Sequence, residues 1–74
     1  MIVEISDPSR ADDLVRFLLD ARCAAATNGA GTLDVTVPEA ASELAARREL
    51  ELYLTAWQAR NPGVRARRRP RYDL

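Results

Sequence analysis

The segment that most constrains the fold is residues 32–37, where three aliphatic residues alternate with three polar ones. This alternation predicts a strand that is buried on one face. Asn28 and Gly29 precede it and favour a tight turn between two strands. By propensity the alanines of residues 23–27 would extend a helix. The turn instead favours pairing of residues 23–27 with residues 32–37 in a β-hairpin.

Residues 1–6 alternate in an apolar, β-branched pattern that predicts a first strand. Asp7 or Ser6 can then cap a helix. Pro8 fits the first helical position, because its missing N–H would be unpaired there in any case.

The first helix is predicted to run to about Arg22, with one apolar and one charged side at roughly 100° per residue. A wide apolar arc is what a helix needs in order to pack on a sheet. The charged side is interpreted as a solvated surface in preference to an acid–base site. The apolar side consists of Ala11, Leu14, Val15, Phe17, Leu18, Leu19 and Ala21, and the charged side of Asp12, Asp13, Arg16 and Asp20.

Pro38 is predicted to open the second helix, and the helix dipole favours Glu39 in its first turn. The helix is predicted to run to about Arg60, where the Asn-Pro-Gly sequence of residues 61–63 ends it. Its predicted inner stripe consists of Ala46, Leu50, Tyr53, Leu54 and Trp57.

Two leucines of the second helix, Leu44 and Leu52, lie outside that stripe, on the side of Arg48 and Thr55. Exposed leucines on one helix indicate a candidate subunit interface, although single surface leucines are ordinary.

The C-terminal end concentrates positive charge. Residues 60–74 contain six of the eleven arginines and one acidic residue, a net charge of +5, whereas residues 1–59 carry −5. Residues 64–69 alternate weakly, so they form either a strand at a sheet edge or part of a free basic tail. The helix stop before them and the alternation favour the strand. The candidate contacts for a protein partner or a nucleic acid are Arg65, Arg67, Arg68, Arg69, Arg71 and Tyr72.

Together these segments predict the order β-α-β-β-α-β. This is an α+β, ferredoxin-like (split β-α-β) fold, with a four-stranded antiparallel sheet and two helices on one face. One domain is expected over residues 1–69, followed by a short tail, residues 70–74.

The acidic first helix, the turn at residues 28–31 and the segment Leu33–Glu39 that enters the second helix resemble small bacterial signal-transducing proteins with a PII-like, ferredoxin-like fold. The resemblance covers roughly residues 2–57. It implies a regulatory role and the ferredoxin-like fold, and it assigns no functional residues.

A chain of 74 residues builds a core worth only roughly 3–5 kcal/mol, so such domains are often supplemented by disulfides, metals or oligomerisation. Cys23 is the only cysteine and there is no histidine, which leaves no internal disulfide and a poor set of zinc ligands. A homodimer or larger oligomer is therefore expected, with no metal and no cofactor. Arg22 can favour the Cys23 thiolate, but a small buried cysteine is the simpler interpretation.

No apolar run approaches the roughly 20 residues of a membrane span, and residues 1–6 do not resemble a signal peptide, so a cytoplasmic protein without membrane partners is expected. Without histidine no general base is evident, and no catalysis is expected. The predicted function is a small regulatory or protein-interaction module that forms homo-oligomers. The alternative is a nucleic-acid-binding module that uses the C-terminal arginines, with binding that falls steeply with salt.

Overall fold

The computed structural model describes residues 1–70. It contains one four-stranded sheet and two α-helices, in the predicted order. The elements are β1 (Ile2–Ile5), a short 3₁₀ helix (Pro8–Arg10), α1 (Ala11–Asp20), β2 (Ala24–Thr27), β3 (Thr32–Thr36), α2 (Glu43–Arg60) and β4 (Ala66–Arg68).

The sheet has the strand order β2-β3-β1-β4, and every neighbouring pair is antiparallel. The α+β class and the ferredoxin-like arrangement are thus confirmed. Both helices share one buried core with the sheet. No helix of residues 1–70 covers the opposite face of the sheet, called the open face below, and β2 and β4 form the two edges of the sheet. The buried apolar side chains of residues 1–70 are Val3, Ile5, Ala11, Leu14, Leu18, Cys23, Leu33, Val35, Leu50, Leu54, Trp57 and Ala66.

The predicted hairpin is present, because β2 pairs with β3 from Ala24 opposite Thr36 to Thr27 opposite Leu33. Gly31 has a positive φ of 77° in the connection, a conformation that glycine adopts without steric cost. Its carbonyl accepts a 2.9 Å hydrogen bond from the Ile5 amide, which joins the turn to the central strand.

A Schellman motif ends α1 two residues earlier than predicted. The Cys23 amide donates to the Leu18 carbonyl at 2.9 Å, and the Arg22 amide donates to the Leu19 carbonyl at 3.0 Å. Arg22 lies in the left-handed region, with φ at 70°, where glycine is the usual residue. The chain is thereby turned into β2, so residues 24–27 form a strand despite their alanine content.

The predicted starts of both helices were wrong in detail. Asp7 does cap a turn that contains Pro8, by accepting from the Ser9 amide at 3.1 Å, but this turn is 3₁₀ and α1 begins only at Ala11. Pro38 does not open α2.

Helix α2 begins at Glu43, where the Ser42 hydroxyl accepts a hydrogen bond from the Ala45 amide at 3.1 Å. Serine is a preferred N-cap because its side chain satisfies an amide that has no partner within the helix. Residues 38 and 39 form a turn before it.

The predicted faces of the helices are largely confirmed. The inner stripe of α2 is buried or half-buried, and most of the apolar arc of α1 faces the core. Leu19 is the exception. The helical period places it in the apolar arc, but it is 52% exposed.

Candidate functional site

The arginines of β4 divide between the two faces of the sheet. Ala66 is buried and Arg68 is half-buried on the helix side, whereas Arg65, Arg67 and Arg69 are exposed. Successive side chains of a strand point to opposite faces, so these last three form a row on the open face. The predicted strand is confirmed over Ala66–Arg68, and the predicted alternation is confirmed by burial.

Glu4 of β1 neutralises part of this row. Its carboxylate lies 3.7 Å from Nε of Arg67, and it accepts a 2.9 Å hydrogen bond from Nε of Arg69. The pairing is built into the sheet register, because Glu4 is directly opposite Arg67. Two of the three arginines on the open face therefore already have a carboxylate partner within the chain.

Arg68 extends to the other side and donates from Nε to the Glu51 carboxylate of α2 at 3.2 Å. Its side chain is only 21% exposed. Arg65 is exposed, and within residues 1–70 it makes no ion pair. Arg71 and Tyr72, the other two candidate contacts, lie outside the described residues.

Leu44 and Leu52 are exposed, as predicted, at 52% and 69%. Both lie on the outer side of α2, opposite the stripe that packs on the core. Arg48, also exposed, lies between them on the helix surface. The two leucines thus belong to a mixed surface in which a charge interrupts the apolar area.

A cleft of about 360 Å³ lies where the N-terminal part of α2 approaches the end of β4. Three arginines line it, and two of them have partners described above. The third, Arg47, pairs with Glu43 at 4.0 Å, an exposed i,i+4 contact. Since a carboxylate accompanies each arginine, the cleft presents little net positive charge. Its lining residues are Met1, Ile2, Glu43, Arg47, Arg68, Arg69 and Pro70.

A second groove, of about 340 Å³, separates α1 from α2. Polar contacts link the residues at the base of this groove. Nε1 of Trp57 donates to Asp13 at 2.9 Å, and the buried Asn61 accepts from Arg10 and donates to the Trp57 carbonyl at 2.9 Å. The guanidinium of Arg60 lies over the ring of Phe17, 5.6 Å from its centroid. These contacts join the helices, so Asp13 is a structural acceptor as well as a solvated carboxylate.

Cys23 is buried at the junction of α1 and β2. Burial raises the pKa of its thiol, and the nearby charge of Glu49 adds to this effect. The shift is opposite to the one that Arg22 was expected to cause. A protonated, enclosed thiol is a poor nucleophile.

The two edges of the sheet differ, which sequence reasoning did not reveal. At the β4 edge, the Gln58 side chain accepts a 3.2 Å hydrogen bond from the Ala66 amide. Charged side chains surround this edge, a common protection against edge-to-edge pairing. The β2 edge has the sequence Ala-Ala-Ala-Thr and carries no charge. Only the strand order, which places this segment outermost, could identify it as an open edge.

No protein-family model matches the sequence, and neither a curated protein nor a solved structure is significantly similar to it. Within residues 1–70, no helix is both long enough and apolar enough to cross a bilayer. The same residues contain no cluster of three or more potential metal-ligating side chains.

Proposed function

We propose that this chain is a small regulatory or protein-interaction module that acts as a homo-oligomer. The observation that carries the proposal is the exposure of three leucines, Leu19, Leu44 and Leu52, each more than half accessible. The core of residues 1–70 contains twelve buried apolar residues. A small protein with large apolar side chains on its surface gains stability by covering them.

The energetic argument follows from size. A core in a domain of this length supplies only roughly 3–5 kcal/mol. Binding between folded copies stabilises the native state by mass action, since unfolded chains do not make the interface. Self-association is therefore the simplest supplement for this chain.

The ion pairs of β4 favour a protein-interaction role over nucleic-acid binding, because they neutralise part of the basic surface. Glu4 and Glu51 engage three of the four described arginines at this edge.

The resemblance to PII-like signal-transducing proteins supports a regulatory role, and membership of that family is part of the proposal. A lone free cysteine supports a cytoplasmic location. The high pKa of Cys23 supports a function without catalysis.

Sedimentation velocity from low to high micromolar concentration tests the proposal. We expect a dimer or larger species, and a Tm that rises with protein concentration because association stabilises the folded state. A monomeric mass over the whole range, with a Tm independent of concentration, would contradict it.

A nucleic-acid-binding module is the second candidate, and the exposed row of Arg65, Arg67 and Arg69 on an open sheet face favours it. Contacts between arginines and phosphates weaken steeply as salt rises. Fluorescence anisotropy with single-stranded RNA and DNA at low salt tests this role.

The variant Glu4→Gln provides a second test of this role, because it removes the carboxylate that neutralises Arg67 and Arg69. Binding should tighten in Glu4→Gln and weaken when Arg65, Arg67 and Arg69 are replaced by glutamine. Absence of binding to either nucleic acid at low salt, for both the native chain and Glu4→Gln, would exclude the second candidate.

A further inference from the structure

We propose that the free edge of β2 is the subunit interface, at which two copies pair antiparallel across a two-fold axis and join their sheets. This inference rests on the proposed self-association and specifies the surface that performs it. Of the three exposed leucines, it places Leu19 in the interface beside the β2 edge and leaves Leu44 and Leu52 of α2 outside it.

The register of the sheet determines which backbone groups are available at this edge. The Asn28 amide donates to the Thr32 carbonyl at 2.9 Å, so the even-numbered residues at this end of the hairpin face β3. In an antiparallel pair, alternate residues direct their N–H and C=O groups to opposite sides. Ala25 and Thr27 therefore direct theirs away from the sheet. They form the open hydrogen-bonding positions of β2.

The neighbouring surface of α1 is apolar. This helix packs mainly against β2, and its Asp13 and Phe17 face α2. Val15 and Leu19 each follow one of these residues by two positions, about 200° around the helix. They therefore lie on the flank above the free edge of β2. Leu19 is 52% exposed there, and Val15 is half-buried.

A second copy of the chain fits this edge because the edge is self-complementary. In a two-fold antiparallel pairing centred on Ala26, Ala25 of each copy is opposite Thr27 of the other. The open groups of both copies then form hydrogen-bonded pairs in the alternating pattern of an antiparallel ladder. The same patch serves both subunits, as an isologous interface requires.

The charges that flank the edge agree with this orientation. Asp12 in the first turn of α1 and Arg22 just after its last turn are both exposed, and within residues 1–70 neither makes an ion pair. A two-fold axis places the first turn of one α1 towards the last turn of the other, so opposite charges approach. Between these charges, the apolar flank of one α1, which contains Leu19, contacts the same flank of the other α1.

Charge substitutions at Ala26 test the proposal. Ala26 is exposed on the open face, and the proposed axis passes beside it, so two identical charges would face each other across the interface. We expect Ala26→Lys and Ala26→Glu each to raise the Kd of the dimer by about tenfold or more in sedimentation experiments. An equimolar mixture of the two variants should restore dimers. This restoration also shows that both variants fold.

Two controls separate this interface from other surfaces. Thr36→Lys adds the same charge to the open face one strand further from the edge, and Leu52→Lys alters the outer surface of α2. Both should leave the Kd unchanged. Dimers that persist in Ala26→Lys and Ala26→Glu but dissociate in Leu52→Lys would overturn the β2 interface while leaving the proposed function intact. A native chain that is monomeric throughout would overturn both.

Discussion

Nε1 of Trp57 donates a 2.9 Å hydrogen bond to Oδ2 of Asp13, 44 residues away in the chain. The indole is 1% exposed, whereas the Asp13 side chain is 56% exposed. A surface carboxylate thus satisfies the one polar atom of the largest buried side chain. This contact joins α1 to α2 across the open groove.

Asp13→Ala should lower the free energy of unfolding by about 1–2 kcal/mol, because it leaves a buried donor without its acceptor. Asp13→Asn retains an acceptor oxygen and should cost less. Urea denaturation followed by Trp57 fluorescence measures both. Asp12→Ala is the matched control at a concentration where the protein is monomeric, since the Asp12 side chain is exposed in the single chain. Equal losses in Asp13→Ala and Asp12→Ala would show that the hydrogen bond contributes nothing.

Arg22 holds a left-handed conformation that costs a residue with a side chain about 1–2 kcal/mol. Arg22→Gly should therefore be more stable than Arg22→Ala by up to about 1 kcal/mol, after allowance for the greater freedom of glycine in the unfolded chain. Both variants lose the guanidinium, so their difference isolates the backbone. Chemical denaturation at a concentration where the protein is monomeric gives this difference, and a more stable alanine variant would refute the assignment.

Because of the Cys23 thiol, we expect the free energy of unfolding to depend on pH in the alkaline range. Its pKa in the folded protein is raised above the ordinary value, so the unfolded chain releases its proton first as pH rises. This contribution to stability is complete below the unfolded pKa of about 8.5 and is lost as pH rises through the folded pKa. The free energy of unfolding should decline more steeply over this range than in Cys23→Ala. Burial also raises the pKa of Tyr53, which adds a decline at higher pH in both proteins, and this decline should be smaller in Cys23→Ala because the Cys23 charge contributes to the Tyr53 shift.

The same burial should slow thiol chemistry. We expect Cys23 to react with an aromatic disulfide reagent far more slowly in the folded protein than in urea, and the native rate to follow local opening. Rapid modification of the folded protein at neutral pH would show that the thiol is accessible.

Glu4→Gln should destabilise the protein by less than about 1 kcal/mol, because exposed ion pairs contribute little even when one carboxylate serves two arginines. The loss should shrink as ionic strength rises. A double-mutant cycle with Arg69→Gln measures the coupling, with Arg65→Gln as the control position. A coupling with Arg65 as large as that with Arg69 would contradict the specific contact.

Local patterns were sufficient for most of the fold. The alternation of residues 32–37, the Asn28-Gly29 turn and the arcs of both helices predicted the sheet and its helical layer, because burial on one face leaves a period in the sequence. The weak alternation of residues 64–69 placed β4 correctly. The choice of Pro38 as the start of α2 failed because its N-cap would be Val37, which has no side-chain acceptor, whereas Ser42 offers a hydroxyl cap to the helix that begins at Glu43.

Other features depend on tertiary neighbours that no local pattern reveals. Leu19 has the period of a core residue, but it is 52% exposed, because α1 packs mainly on β2 and β2 is an edge strand of the sheet. The hydrogen bond between Asp13 and Trp57 and the pairing of Glu4 with two arginines join residues far apart in the chain. The unequal protection of the two sheet edges follows only from the strand order.

The difference between the β2 and β4 edges limits the size of an assembly that forms through the sheet. Within residues 1–70, the Gln58 side chain accepts from the Ala66 amide at the β4 edge and arginines flank that edge, so the edge proposed to accept another strand is that of β2. Pairing through β2 uses the open side of both copies at once. If two copies pair in the proposed way, we expect growth through the sheet to stop at two subunits, because both β2 edges are then paired.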